Sequence, residues 1–111
     1  MPNTNIEKDI LQLAEADLYE MIGDEVAGRQ VFPLTREELI ERGRAWWRAH
    51  LDQIRSVVCP HARELIAETD SWSALIAIAD LLAGIIFHVA PVKVAALVVK
   101  AGIRKLCEND K

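Results

Sequence analysis

Glycine and proline are scarce, five and four in 111 residues, and no segment alternates apolar with polar side chains over a strand's length. Both shortages argue against a β-rich fold, which needs turn residues at short intervals and one solvated face per strand. Aromatic residues make up only 5% of the chain and cysteine occurs twice. Cys59, Cys107, His50, His61 and His88 form no Cys-x-x-Cys or His-x-x-x-His pair, so the spacing of a structural zinc site is missing. A cysteine nucleophile served by His61 would rest on sequence adjacency alone, and no nucleotide-binding or other catalytic motif is present. Neither a cofactor nor enzymatic activity is therefore expected. The opening MPNTNIEKD is polar rather than basic and then apolar, so a cytoplasmic protein with two free thiols is the expectation.

Apolar sequence, by contrast, is plentiful. Hydrophobic residues are 51% of the chain and charged residues 27%. From Trp72 to Cys107 the run is broken only by Asp80, His88, Pro91, Lys93, Lys100, Arg104 and Lys105. A chain of this length buries roughly two-thirds of its unfolded surface, enough for one core, and residues 1–111 are read as a single helical domain. Abundant Ala, Leu, Glu and Arg favour helices. The fold class expected is all-α, a compact bundle of about five helices over 5–22, 36–58, 60–68, 72–89 and 91–107, with the fourth central.

Punctuation along the chain sets those limits. Thr4 with Glu7, and Thr35 with Glu38, have the spacing of a capping box, in which hydroxyl and carboxylate each accept an otherwise orphaned backbone N–H. Gly23 suits a left-handed helix end, and Gly28 and Pro33 punctuate the connection that follows. Gly43, inside the second helix, costs about 1 kcal/mol against alanine, which points to another backbone or a Trp ring passing close. Pro60 and Pro91 each disfavour helix before them and suit a first turn, while Asp70 or Ser71 can cap the fourth helix.

The net charge of −4 hides a gradient. Residues 1–34 carry seven acids against two bases, and residues 71–111 three against five. Opposite charge of this kind seats the first helix near the last. The second helix has an apolar stripe containing Trp46, Trp47 and His50 and an Arg-rich outer face, where Glu38–Arg42 and Arg48–Asp52 are expected to pair. An acidic overall balance with Arg interleaved among acids excludes a nucleic-acid partner.

Candidate interface residues follow from what a core cannot absorb. Adjacent tryptophans project about 100 degrees apart, so at least one of Trp46 and Trp47 should sit at the core boundary, where large aromatics anchor partners. Asp80, alone among ionisable groups within Ile76–Ile86, must face water, pair, or take a proton. Arg44, Arg48 and Arg55 on the second helix, and Lys93, Lys100 and Arg104 on the fifth, complete the set. The expected function is a non-catalytic interaction, adaptor or self-assembly module that binds a protein partner or its own copy. The alternative is a membrane-active protein inserting the 72–107 hairpin. The window 74–92 is long enough to span, but Asp80 near its centre costs about 3 kcal/mol on insertion scales. Asp80 and His88 would then be its acid-sensitive groups. A ligand carrier is the remaining reading, disfavoured because Ala-rich helices leave little room between them.

Overall fold

Every regular element among the described residues, 10–28, 33–67, 70–85 and 89–108, is helical in a computed structural model of the chain. A 3-10 turn at Ile10–Gln12 leads into α1 (Glu15–Ala27), and α2 (Arg36–Val58) is the longest element. A second 3-10 turn, Cys59–His61, precedes α3 (Ala62–Ile66), followed by α4 (Ser71–Leu82), α5 (Pro91–Ala101) and α6 (Ile103–Glu108). The fold is the expected all-α bundle, though several boundaries move.

Local signals explain the ends that agree. Thr35 accepts the Glu38 N–H at 3.2 Å while Glu38 accepts the Thr35 N–H at 2.8 Å, so the second capping box forms as read. The Thr35 backbone N–H, more than its hydroxyl, holds the Glu38 carboxyl below the usual carboxylate range. Asp70 takes the N-cap of α4, accepting the Ser73 N–H at 2.7 Å. The Thr4–Glu7 box lies outside the described residues.

The first helix starts later and ends later than expected. Asp17 accepts the Ala14 N–H at 3.2 Å to open α1, and the helix runs through Gly23 to Gly28, which has φ +64°. Gly23 is thus no terminator; the Leu39 backbone lies against it, just as the Tyr19 backbone lies against Gly43. Tyr19 opposite Gly43 and Gly23 opposite Leu39 make α1 and α2 antiparallel, with their backbones touching at both glycines. The fourth helix stops at Leu82, where Ala83 and Gly84 form a turn and Ile85 N–H returns to Leu82 O at 3.0 Å. The fifth is divided at Gly102, whose φ of +94° no helix accommodates.

The longest apolar run is therefore split into helices of 12, 11 and 6 residues, and among the described residues no helix is long and apolar enough to cross a membrane. α4 buries Ala74, Leu75, Ile78 and Leu82, and α5 buries all of Val94–Val98; together they form the centre. Asp80 lies on the exposed face of α4, so its carboxylate stays in water; His88 is outside the described residues.

The charge gradient is realised in one partly buried pair. α5 has only Ala90 at its N-cap, and, in the part that an N3 glutamate plays in a capping box, Glu25 from α1 accepts the Ala90 N–H on Oε1 at 3.3 Å. Its Oε2 lies 3.0 Å from Lys93 Nζ, with side-chain exposures of 29% and 22%. A carboxylate at a helix N-terminus is favoured by dipole and by hydrogen bonding together. Glu25→Ala should lower stability by about 1–2 kcal/mol, read as a lower urea midpoint at unchanged slope. Glu25→Gln, which keeps an acceptor, should lose roughly half as much. By contrast Arg36, bonded to Asp17 at 2.8 Å and Glu20 at 3.0 Å, is well exposed and contributes little.

One expectation is overturned outright. Cys59 and Cys107 are not free thiols but a disulfide, with Cα atoms 5.5 Å apart, tying the end of α2 to α6. In that form neither sulfur can attack or bind zinc, and His61 Nδ1 lies 3.5 Å from Glu64 instead.

Candidate functional site

Arg44, Arg48, Leu51 and Arg55 fall at i, i+4, i+7 and i+11 of α2, a single stripe of that helix. Tyr19, one turn beyond Glu15 on α1, meets this stripe: the Arg44 guanidinium lies 5.6 Å from the Tyr19 ring centroid. From the other side come Lys100 at the end of α5 and, across the Gly102 break, Lys105 and Leu106 of α6. Between them is an open cleft of about 330 Å³ with Tyr19, Trp47, Leu51 and Leu106 among its walls. Arg55, Lys100 and Lys105 also line it, and Glu15 is its one acid. A shallower depression of about 510 Å³, reaching Leu11 and Ser71, shares Glu15 and Lys100 with it, so the two form a continuous trough.

Arg55 is the unusual member. Its side chain is only 19% exposed, and its buried Nε has no hydrogen-bond partner among the described residues. Nη1 lies 3.6 Å from Asp52 Oδ1, but that carboxylate is 99% exposed and well solvated. Lys100 and Lys105 form no ion pair among the described residues. A guanidinium N–H held out of water without an acceptor is costly, and the Arg55 side chain also lines the cleft beside Lys100 and Lys105.

The field at Tyr19 reports the same environment. Burial, and secondarily Glu15, push the phenol above its ordinary pKa, while Arg44 and Arg48 pull it partly back. Tyr19 is the only tyrosine in the chain, so an ultraviolet titration reads it alone. The midpoint should lie above the ordinary phenol value, and Arg44→Met should raise it further; a midpoint at or below that value would contradict the buried placement.

Of the nine candidate interface residues, Trp47, Arg55 and Lys100 line the cleft, and Arg44 and Arg48 act on its Tyr19 wall from the edge. The others do not. Trp46 and Trp47 are both buried, at 8% and 9% exposure, because α2 packs on α1 and on α4, an arc wide enough to cover two adjacent rings. Neither is therefore an exposed anchor. Trp46 stacks on His50 with centroids 4.3 Å apart, and His50 Nδ1 is 2.8 Å from Trp46 O, so that imidazole is satisfied by a backbone carbonyl. Lys93 is committed to Glu25, and Asp80 is remote on α4. Arg104 borders a separate apolar depression beside Leu65, Ile66 and Ile103. The expected Arg48–Asp52 pair is replaced by Arg48–Glu41 at 3.7 Å and Arg55–Asp52 at 3.6 Å, all weak surface contacts apart from the Arg55 end.

Sequence reasoning missed Tyr19, Lys105 and the cross-link. Lys105 reads only as a cation suited to a helix end, and nothing in the spacing shows that a break at Gly102 swings it toward α2. Among the described residues no three potential metal ligands cluster. The chain matches no protein-family model, and no curated protein or solved structure is significantly similar to it.

Proposed function

We propose that the protein is a non-catalytic interaction module, an adaptor or self-assembly unit, that docks a protein partner or a second copy of itself through the cationic trough between α1, α2 and α5–α6. The observation that supports this is Arg55, a largely buried cation whose Nε meets no acceptor among the described residues, flanked by two lysines that form no ion pair among those residues, in a chain whose net charge is −4. A local reversal of sign on an acidic protein steers an oppositely charged surface to one place. Trp47 is too covered to stack a base, which disfavours single-stranded nucleic acid.

Light scattering and affinity capture test the reading with the Arg44→Glu/Arg48→Glu variant as comparison. A dimer or an identified partner that the variant loses supports docking at this face; a strictly monomeric protein with no partner removes the reading.

For the compartment, a cytoplasmic setting and the Cys59–Cys107 bridge pull in opposite directions, since reducing thiol pools keep ordinary cysteines apart. We propose the cytoplasm with the bridge as a reversible cross-link. Alkylation trapping in cells decides: labelled thiols support that setting, and a fully bridged population places the protein in an oxidising one.

A further inference from the structure

We infer that the trough takes a short acidic-apolar peptide segment, with a carboxylate seated on Arg55 and an aliphatic side chain against Tyr19, Leu51 and Leu106. This rests on the interaction reading above and names the chemistry of the partner.

Each part of the trough selects one part of such a segment. Arg55 presents a planar fork of donors, the geometry that matches a carboxylate in two parallel hydrogen bonds. The Arg55 side chain lines the cleft and keeps 19% of its surface exposed, and among the described residues no acceptor meets its Nε, so the guanidinium is not already satisfied by the protein. Asp52, at 3.6 Å and fully solvated, competes only weakly. Lys100 and Lys105, point charges on either side of Gly102 with no ion pair among the described residues, suit further acids along the same segment. The walls between these cations are aromatic and aliphatic, so a uniformly charged polyanion would leave them uncovered. An alternation of acid and leucine-like residues covers both.

Glu15 sets the limit at the far end. It lines both the cleft and the depression that continues it, so the segment's acids belong on the Arg55 side and not beyond Lys100. The protein's own negative balance repels long polyanions at a distance, whereas a short segment feels mainly the local cations.

The test uses the full chain, isotope-labelled for amide and side-chain N–H resonances, titrated with a short peptide alternating glutamate and leucine. Saturable shifts should appear at Tyr19, Trp47, Leu51 and the Arg55 Nε–H, weakening as salt rises. Replacing each glutamate of the peptide with glutamine should abolish them. Lys100→Gln/Lys105→Gln should weaken binding by about tenfold or more, Arg55→Lys should weaken it despite the retained charge, and Arg104→Gln should leave it unchanged. The surface lysine variant guards against loss of fold at Arg55. Absence of saturation, or shifts centred elsewhere, overturns the proposal. Equal binding of inorganic phosphate or a short oligothymidylate also overturns it, assigning the trough to phosphate-bearing ligands. If the lysine variant still retains a partner or dimer seen by scattering, the interaction reading stands and only this assignment falls.

Discussion

Gly43→Ala should destabilise the protein by about 3 kcal/mol or more, and Gly23→Ala should match it. In an exposed helix interior the same change gains about 1 kcal/mol, so the prediction reverses the usual sign. The reason is what the new methyl would meet. At Gly43 it lands on the carbonyl of Tyr19, and at Gly23 on the carbonyl of Leu39. Both obstacles are backbone, so no rotamer change relieves them, and α1 and α2 must move apart. Separation uncovers Leu18 and Ile22 on α1 and loosens Trp46 and Trp47 on α2, all of them buried. At roughly 4 °C per kcal/mol for a domain of this size, the melting temperature should fall by about 12 °C. Gly84 supplies the control: among the described residues a Cβ there meets nothing nearer than Leu81 O at 3.9 Å, so Gly84→Ala should stay within about 0.5 kcal/mol. Thermal melts of the three variants decide it. If Gly43→Ala behaves like Gly84→Ala, the two helices are not in backbone contact.

These glycines also show which features the sequence discloses. Gly43 stood out because an uncompensated glycine inside a strongly helical segment needs a reason, and the reason offered, close passage of another backbone, is what Tyr19 provides. Gly23 reads as a stop in the sequence because the same residue type serves chain reversal and close packing, and the deciding neighbour, Leu39, belongs to another helix. Gly102 drew no notice inside an apolar helical pattern, yet its positive φ is what turns α6 so that Lys105 faces the cleft. The caps at Thr35 and Asp70 were legible because donor and acceptor are three residues apart. Glu25 capping α5 was not, although the charge gradient correctly brought the acidic and basic ends together.

The candidate site divides the same way. The stripe Arg44, Arg48, Arg55 is a property of one helix and can be counted off. Its meaning depends on which cations already have partners. Lys93 and Arg55 look alike as isolated letters, but Lys93 is paired with Glu25 whereas Arg55 Nε meets no acceptor among the described residues. That distinction arises only once the six helices are assembled, and it is what sets the proposed docking trough apart from a solvated Arg-rich face.

Opening the Cys59–Cys107 bridge, in the double variant Cys59→Ala/Cys107→Ala, should cost about 4 kcal/mol at 25 °C, since the unfolded chain regains the freedom of a long loop. The cysteines are 48 residues apart in sequence. Set against the roughly 5–15 kcal/mol that holds a typical domain, this is a large share. The loss should not be spread evenly. α6 has only six residues, too few to persist as an isolated helix, and besides the bridge its one buried side chain is Leu106. Without the bridge, residues 103–108 should therefore open first, with their amides exchanging far faster than those of Val94–Val98 on α5. Detachment removes Lys105 and Leu106 from the cleft, so the variant should bind the glutamate–leucine peptide more weakly than a Lys105→Gln protein does, because it also loses an apolar wall. Urea unfolding, hydrogen exchange and the peptide titration on the same variant test the three steps in turn. A stability change below about 1 kcal/mol with 103–108 still protected would mean that Leu106 packing alone secures α6, and the cross-link would then have no hold on the trough.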